Sequence, residues 1–285
     1  MIKIKTKRIF NQVPKSSRIT IPSEKTSLGQ DCKEILAHRQ IIKNFVGRDL
    51  KIKYQRSILG FFWTLLNPLL MVVIYTLVFS KILQFNIPFY PIFILSGLLP
   101  WNFFSQSLSM GSRSITDNSG LINQVSFPLE ILTLSTILSI LVDFIVELGL
   151  LMGILFIMDW NLSPAMLFLP ILIVIEFILI LGISLILATL NVFFRDVQHI
   201  ISILLTAWFF LTPIFYTFES VPPPYRPLYK LNPMAGIIAA FRDILYYDRF
   251  PALDFLIYPG IVSLVTFLAG YLIFKGFKGV FPEEA

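Results

Sequence analysis

The sequence predicts an all-α membrane protein of six transmembrane helices, with an amphipathic helix before the first span and short extracytoplasmic helices before the last. Three observations carry this. Of 285 residues, 56% are hydrophobic and 14% charged, with a mean hydropathy of +0.78; soluble domains carry roughly 25% charged residues. Six segments are long and apolar enough to cross ~30 Å of hydrocarbon, which takes ~20 residues. The charges crowd at one end: residues 1–57 hold 14 of the 23 Lys and Arg against four acids, and the remainder holds nine against 13.

Taken in order, residues 1–30 are rich in Lys, Ser and Thr, contain Pro14 and Pro22, and read as a mobile basic arm on the cytoplasmic side. The opening MIKIKTKRIFNQVPKSSRIT is too polar for a cleaved signal peptide, so a retained cytoplasmic amino terminus is expected. Over 31–57, Ile35, Ile42, Phe45, Val46 and Leu50 recur at helical spacing, with Arg39, Lys43, Arg48 and Lys51 around the rest of the helix. This predicts an amphipathic helix on the cytoplasmic membrane surface, with an ordinary helix packed on protein as the alternative.

The transmembrane unit covers 58–274, with spans at about 58–79, 89–108, 131–158, 165–190, 200–218 and 255–274. Pro91, Gly97 and Pro100 in the second and Pro213 in the fifth predict kinks or breaks. In the third, Gly149 and Gly153 have a spacing that permits close helix approach. The outer loop 219–254 opens with SVPPPYRPLYKLNP, which cannot form a regular helix. It continues as MAGIIAAFRDILYY, where Ile237, Phe241 and Leu245 line one helical face, and a loop this long suits a lid or gate. A short tail, 275–285, follows. With six crossings, 18 of the Lys and Arg fall on the side of the termini and five on the other, so both termini are expected in the cytoplasm.

The basic end faces anionic lipid headgroups more simply than nucleic acid. Cys32 is the single cysteine, and with His38 and His199 it makes a poor metal-ligand set, so no metal site is expected. No phosphate-binding Gly-x-x-x-x-Gly-Lys-Ser/Thr loop is present, and no nucleophile–base arrangement emerges, so the chain is read as a non-enzyme without catalytic residues or a cofactor of its own. Asp143 and Glu147 share a face of the third span and Glu176 stands in the fourth. Such acids line a polar conduit, carry protons or hydrogen-bond neighbouring helices. Aromatic residues make up 15% of the chain and cluster near span ends. Besides an interfacial belt, a subset comprising Phe62, Trp63, Trp101, Phe104, Phe209, Phe210 and Tyr216 offers flat apolar faces along which sugar rings can slide.

The stretch RDLKIKYQRSILGFFWTLLNPLLMVVIYTLVFSKI (48–82) resembles the opening of permease subunits of type-2 ABC exporters for bacterial polysaccharides. Phe89-Tyr90-Pro91 followed by IFILSGLLPWNFF, then SFPLEIL, NVFFRDVQHII, FFLTPIFY and LNPMAGIIAAFRDIL continue the likeness in order over about 35–274. The family includes Wzm-like O-antigen, capsule and teichoic-acid exporters. The resemblance implies a homodimer in the bacterial inner membrane, bound to two separate ATPase subunits that hold ATP and Mg, exporting a lipid-linked glycan. It also implies roles: Arg48, Asp49 and Lys51 at the ATPase interface, and Arg113, Asp117 and Asn118 in a coupling segment. Arg48, Lys51, Lys53 and Arg56 would attract lipid phosphate, and Asn232, Pro233, Phe241 and Arg242 would belong to the gate. A proton-coupled transporter using Asp143, Glu147 and Glu176, and a channel or passive scaffold, are the competing classes.

Overall fold

The computed structural model describes residues 28–55, 57, 59–122, 127–160 and 163–284. Arg56 and nearly all of the expected arm lie outside them. Twelve α-helices are present among the described residues. They are α1 (Leu28–Ala37), α2 (Arg39–Tyr54), α3 (Phe62–Tyr75, continuing as a wider π-type stretch through Thr76–Ile82), α4 (Tyr90–Arg113), α5 (Ser119–Ile122) and α6 (Glu130–Ile157). Then come α7 (Leu169–Phe193), α8 (Val197–Phe210), α9 (Arg226–Lys230), α10 (Pro233–Leu245), α11 (Asp254–Phe277) and α12 (Phe281–Glu284).

Among the described residues, four helical stretches are long and apolar enough to cross a membrane: Phe62–Ile82, Glu130–Ile157, Pro164–Phe193 and Asp254–Phe277. The other two expected spans differ for identifiable reasons. Helix α4 has 24 residues, of which 17 are buried, and it packs against α3, α6, α7, α8 and α10. A helix wrapped by other helices needs no lipophilic surface, and α4 carries five Ser along with Asn102 and Gln106; Ser96 and Ser112 satisfy their hydroxyls on carbonyls of their own helix. Helix α8 has 14 residues and stops ahead of Pro213, and at 1.5 Å per residue it extends ~21 Å.

The stretch 31–57 forms two helices that part at His38, where φ −88° and ψ 19° leave the helical range. Asp31 ties α1 to the far end of α11, accepting from the Tyr271 hydroxyl and, at 2.5 Å, from Lys275 Nζ. Helix α2 packs along α6, and its apolar stripe of Ile42, Phe45, Val46 and Leu50 is half-buried while Arg39 and Lys43 are exposed. Phe45 meets Phe127 at 5.8 Å, so the stripe is directed at protein. Between α2 and α3 the chain turns at Gly60, whose φ of +49° suits a residue without a Cβ.

Helices α7 and α11 run in the same direction: Phe168 touches Phe250 near their starts and Phe193 touches Phe277 near their ends. They cross at Gly182 and Gly270, where backbone meets backbone. Gly149 and Gly153, by contrast, have nothing within 4 Å of an added Cβ, so the helix approach their spacing predicts is absent within this chain among the described residues.

Candidate functional site

At the cytoplasmic end in the expected orientation, Arg48 joins α2 to the segment after α4. Its guanidinium donates to Asp49 Oδ1 at 2.9 and 3.0 Å and to Asn118 Oδ1 at 2.9 Å. Asn118 in turn donates to Ser114 O at 2.8 Å, and its neighbour Thr116 accepts from Asn191 of α7 at 3.1 Å. Arg48, Asp49 and Asn118 are thus brought together, with the Phe45 ring under the Arg48 guanidinium at 4.7 Å. Lys51 and Asp117 are exposed nearby in sequence, and Arg113 is half-buried and joins this network through its backbone alone, its carbonyl accepting from Thr116 at 3.1 Å.

At the opposite end the chain after α8 has no helix to satisfy its carbonyls, and α10 supplies the donors. Arg242, 4% exposed, donates to Pro213 O and Ile214 O, both at 2.9 Å, and lies 3.7 Å from the Phe93 ring centroid. Burial lowers its pKa to about 10, which leaves a cation at neutral pH. Asn232 caps α10 by accepting from Met234 N, accepts from Trp208 Nε1 at 2.9 Å, and donates to Thr212 at 3.0 Å. Its neighbour Pro233 occupies the first helical position, where a missing N–H costs nothing. Phe241 is fully buried against Phe144. Asn232→Ala is therefore expected to cost about 2 kcal/mol, the cap plus two side-chain bonds, read as a lowered unfolding midpoint in detergent.

Between α3 and α8, with α4 as its floor, lies a groove of about 330 Å³. Its polar lining is Asn67, Asn102, Ser105, Gln106 and Thr206, and Tyr75, Trp101 and Phe209 form its aromatic wall. The aromatic candidates divide accordingly. Trp101 and Phe209 line the groove and touch each other at 5.5 Å. Phe104 is fully buried behind them, while Phe62, Trp63 and Phe210 are exposed on the outer faces of α3 and α8. Tyr216 is half-buried and bonded to the Tyr229 hydroxyl at 2.9 Å.

Residues 41–246 match the profile of the ABC-2 type transporter family. The chain belongs to that family. It is 36% identical over 256 residues to the O-antigen export system permease protein RfbA of Myxococcus xanthus, covering 88% of this chain and 98% of that one. An RfbA of the same description from Klebsiella pneumoniae is 30% identical over 241 residues, 83% of this chain and 91% of that one. The polysialic acid transport protein KpsM of Escherichia coli is 24% identical over 236 residues, 80% and 90% of the two chains.

In this ABC-2 transporter the three acids expected inside the spans, Asp143, Glu147 and Glu176, have different surroundings. Asp143 of α6 accepts from Lys53 Nζ and from the Tyr54 hydroxyl, both at 2.6 Å, so the end of α2 is fastened to α6. Burial, and then the bond to Asp143, push the Tyr54 hydroxyl well above the ordinary phenol range, so it stays a donor. The same hydroxyl meets Thr64 of α3 at 2.5 Å. Glu147, one turn on, is buried without a hydrogen bond among the described residues, and Glu176 is fully buried with neither carboxylate oxygen bonded. Of the four cations expected to attract lipid phosphate, Arg48 and Lys53 are occupied by carboxylates, Lys51 is exposed, and Arg56 lies outside the described residues.

The sequence reading missed the amides of the groove. Their signal was available: Asn102, Ser105, Gln106 and Ser109 recur at i, i+3, i+4 and i+7, a polar stripe along one face of α4.

Proposed function

We propose that this ABC-2 transporter is the permease subunit of an ATP-driven exporter that moves a lipid-linked, O-antigen-like polysaccharide across the bacterial inner membrane. The path is a channel between two copies of the chain, and two separate ATPase subunits supply the power. The observation that carries this reading is the double fastening of α2. Midway it is bonded to the segment after α4 through Arg48 and Asn118, and at its end to α6 and α3 through Lys53, Tyr54 and Asp143. A helix held at two points to elements that lead into the membrane works as a lever, and a partner pushing on it moves α4 and α6 together.

In the full assembly α3, α4, α6, α7, α8 and α11 make six crossings and both termini are cytoplasmic. Closure of the ATPases on ATP tilts α2, and the two copies part along α3 and α8. These helices bury few residues of their own, and their broad apolar faces suit lipid or a second copy. Lys51 and Arg56 meet the lipid phosphate first, the aromatic residues of the groove guide the sugar chain, and α10 with Asn232, Pro233, Phe241 and Arg242 gates the outer mouth. The substrate class is supported by the relatives named for O-antigen export and polysialic acid transport.

The test is reconstitution in vesicles with the partner ATPase. The chain alone turns over no ATP, and the complex exports lipid-linked glycan in an ATP-dependent way. Arg48→Ala and Asn118→Ala each lower export at least tenfold while the ATPase stays bound and active. Export that survives ATP depletion and collapses with the proton gradient overturns this reading in favour of proton coupling through Asp143, Glu147 and Glu176.

A further inference from the structure

We infer that the groove between α3 and α8 is a binding track for uncharged, hydroxyl-rich sugar units, with Asn102 and Gln106 as its hydrogen-bonding rail. The inference rests on the export reading and names the substrate chemistry of that path.

Three features of the groove lead there. The first is its unpaired amides. The side chains of Asn67, Asn102 and Gln106 make no hydrogen bond to another described residue, whereas the Ser105 and Thr206 hydroxyls donate back to Asn102 O and Ser202 O. An amide without a partner in an apolar surrounding costs several kcal/mol, so these groups must meet water or a ligand. Each amide offers both donors and acceptors, which is what a sugar hydroxyl, itself donor and acceptor, pairs with.

The second feature is the aromatic wall beside the rail. Trp101 is held against Phe104 and Phe209 in tilted contacts, and Phe209 against Phe215 edge to face at 5.0 Å, so its rings are fixed in an aromatic cluster. Flat apolar faces beside amides suit the alternating C–H faces and hydroxyl edges of a pyranose. The volume of about 330 Å³ lies at the small end of the roughly 300–1,000 Å³ of ligand clefts, which suits one or two sugar units at a time.

The third feature is the missing charge. No Asp, Glu, Lys or Arg lines the groove, and Asp143 and Glu147 are not part of it. An ion or a polyanion therefore finds no counter-charge, and a neutral chain loses nothing by its absence. The second cavity, about 940 Å³ on the other side of α8, lacks charge as well but offers no free amide. It is lined mostly by Leu, Ile, Val and Pro, and its one amide, Asn232, is already bonded to Thr212 and Trp208.

The experiment uses the complex with its ATPase in vesicles loaded with either of two probes, a lipid-linked mannan, which is neutral, or a lipid-linked polysialic acid, which is not. The native complex is expected to export the mannan at least tenfold faster. Asn102→Leu and Gln106→Leu should each lower mannan export tenfold or more while the complex with its ATPase still assembles, and Gln106→Asn should retain at least a third of the native export. In a Cys32→Ser background, Gln106→Cys should react with a water-soluble maleimide, a readout that does not depend on export. Leucine variants that export mannan at the native rate, equal export of both probes, or an unreactive Cys at 106 would each overturn the track. A native complex that moves neither probe with ATP instead sinks the export reading itself.

Discussion

Arg242→Met is expected to destabilise the folded chain by about 3–5 kcal/mol, because it strips two buried carbonyls of a charged donor at once. Methionine keeps much of the volume over Phe93, so the loss reflects the bonds to Pro213 O and Ile214 O more than a cavity. Those bonds exist because the helical ladder of α8 stops ahead of Pro213, so the carbonyls of the chain beyond it have no intrahelical donor and take Arg242 instead. Arg242→Lys should recover only part of the loss, since one ammonium cannot match a planar fork aimed at two adjacent carbonyls. Gly97 permits the arrangement: a Cβ there would stand 3.0 Å from Arg242 Nη2. The unfolding midpoint in detergent, measured for native, Met and Lys forms, checks the order. A Met variant as stable as the native chain would show that the guanidinium holds nothing in place. Export should fall with stability, because Asn232 and Trp208 are anchored at the same end of α8.

How much of this was legible beforehand depends on whether a feature is local. The apolar runs that became α3, α6, α7 and α11 are properties of consecutive residues, and hydropathy reads them directly. The break after α8 was legible for the same reason, since Pro213 acts on its own neighbourhood. The parting of α1 from α2 was not, because it falls at His38 with no glycine or proline to mark it. Pairs that meet across the fold were beyond reach without the recognised family: Arg48 and Asn118 are 70 positions apart, Lys53 and Asp143 are 90. That distance also explains why the cations read as free phosphate ligands turned out to be half occupied. The acids that hold them sit in other helices or one residue away, and helical periodicity does not register either case. The direction of the α2 stripe was undecidable for a related reason, as an apolar face looks the same whether it meets lipid or α6.

The two glycine pairs show the same limit and supply the other large effect. Gly182→Leu and Gly270→Leu are expected to prevent α7 and α11 from packing, with loss of monodisperse protein. An added Cβ on Gly182 would lie 2.5 Å from Phe267 N, and on Gly270 2.2 Å from Gly182 O. Both obstacles are backbone, so no side chain can rotate away and the helices must separate. Even alanine should cost more than the about 1–3 kcal/mol of ordinary overpacking. Gly149→Ala and Gly153→Ala are the controls: with open space around them they should be neutral within this chain, or stabilising by the about 0.5–1 kcal/mol that alanine gains over glycine in a helix. If Gly182→Ala unfolds at the native midpoint, the crossing is misplaced. The consequence extends to the far end of α11, because Tyr271 and Lys275, the next turn and a half of that helix, are the residues that hold Asp31 of α1. Forcing α11 away from α7 at Gly270 therefore moves the dock of α1 as well. Limited proteolysis near His38 should then be faster in Gly270→Ala than in Gly153→Ala, which separates a shift transmitted along α11 from a general loss of stability.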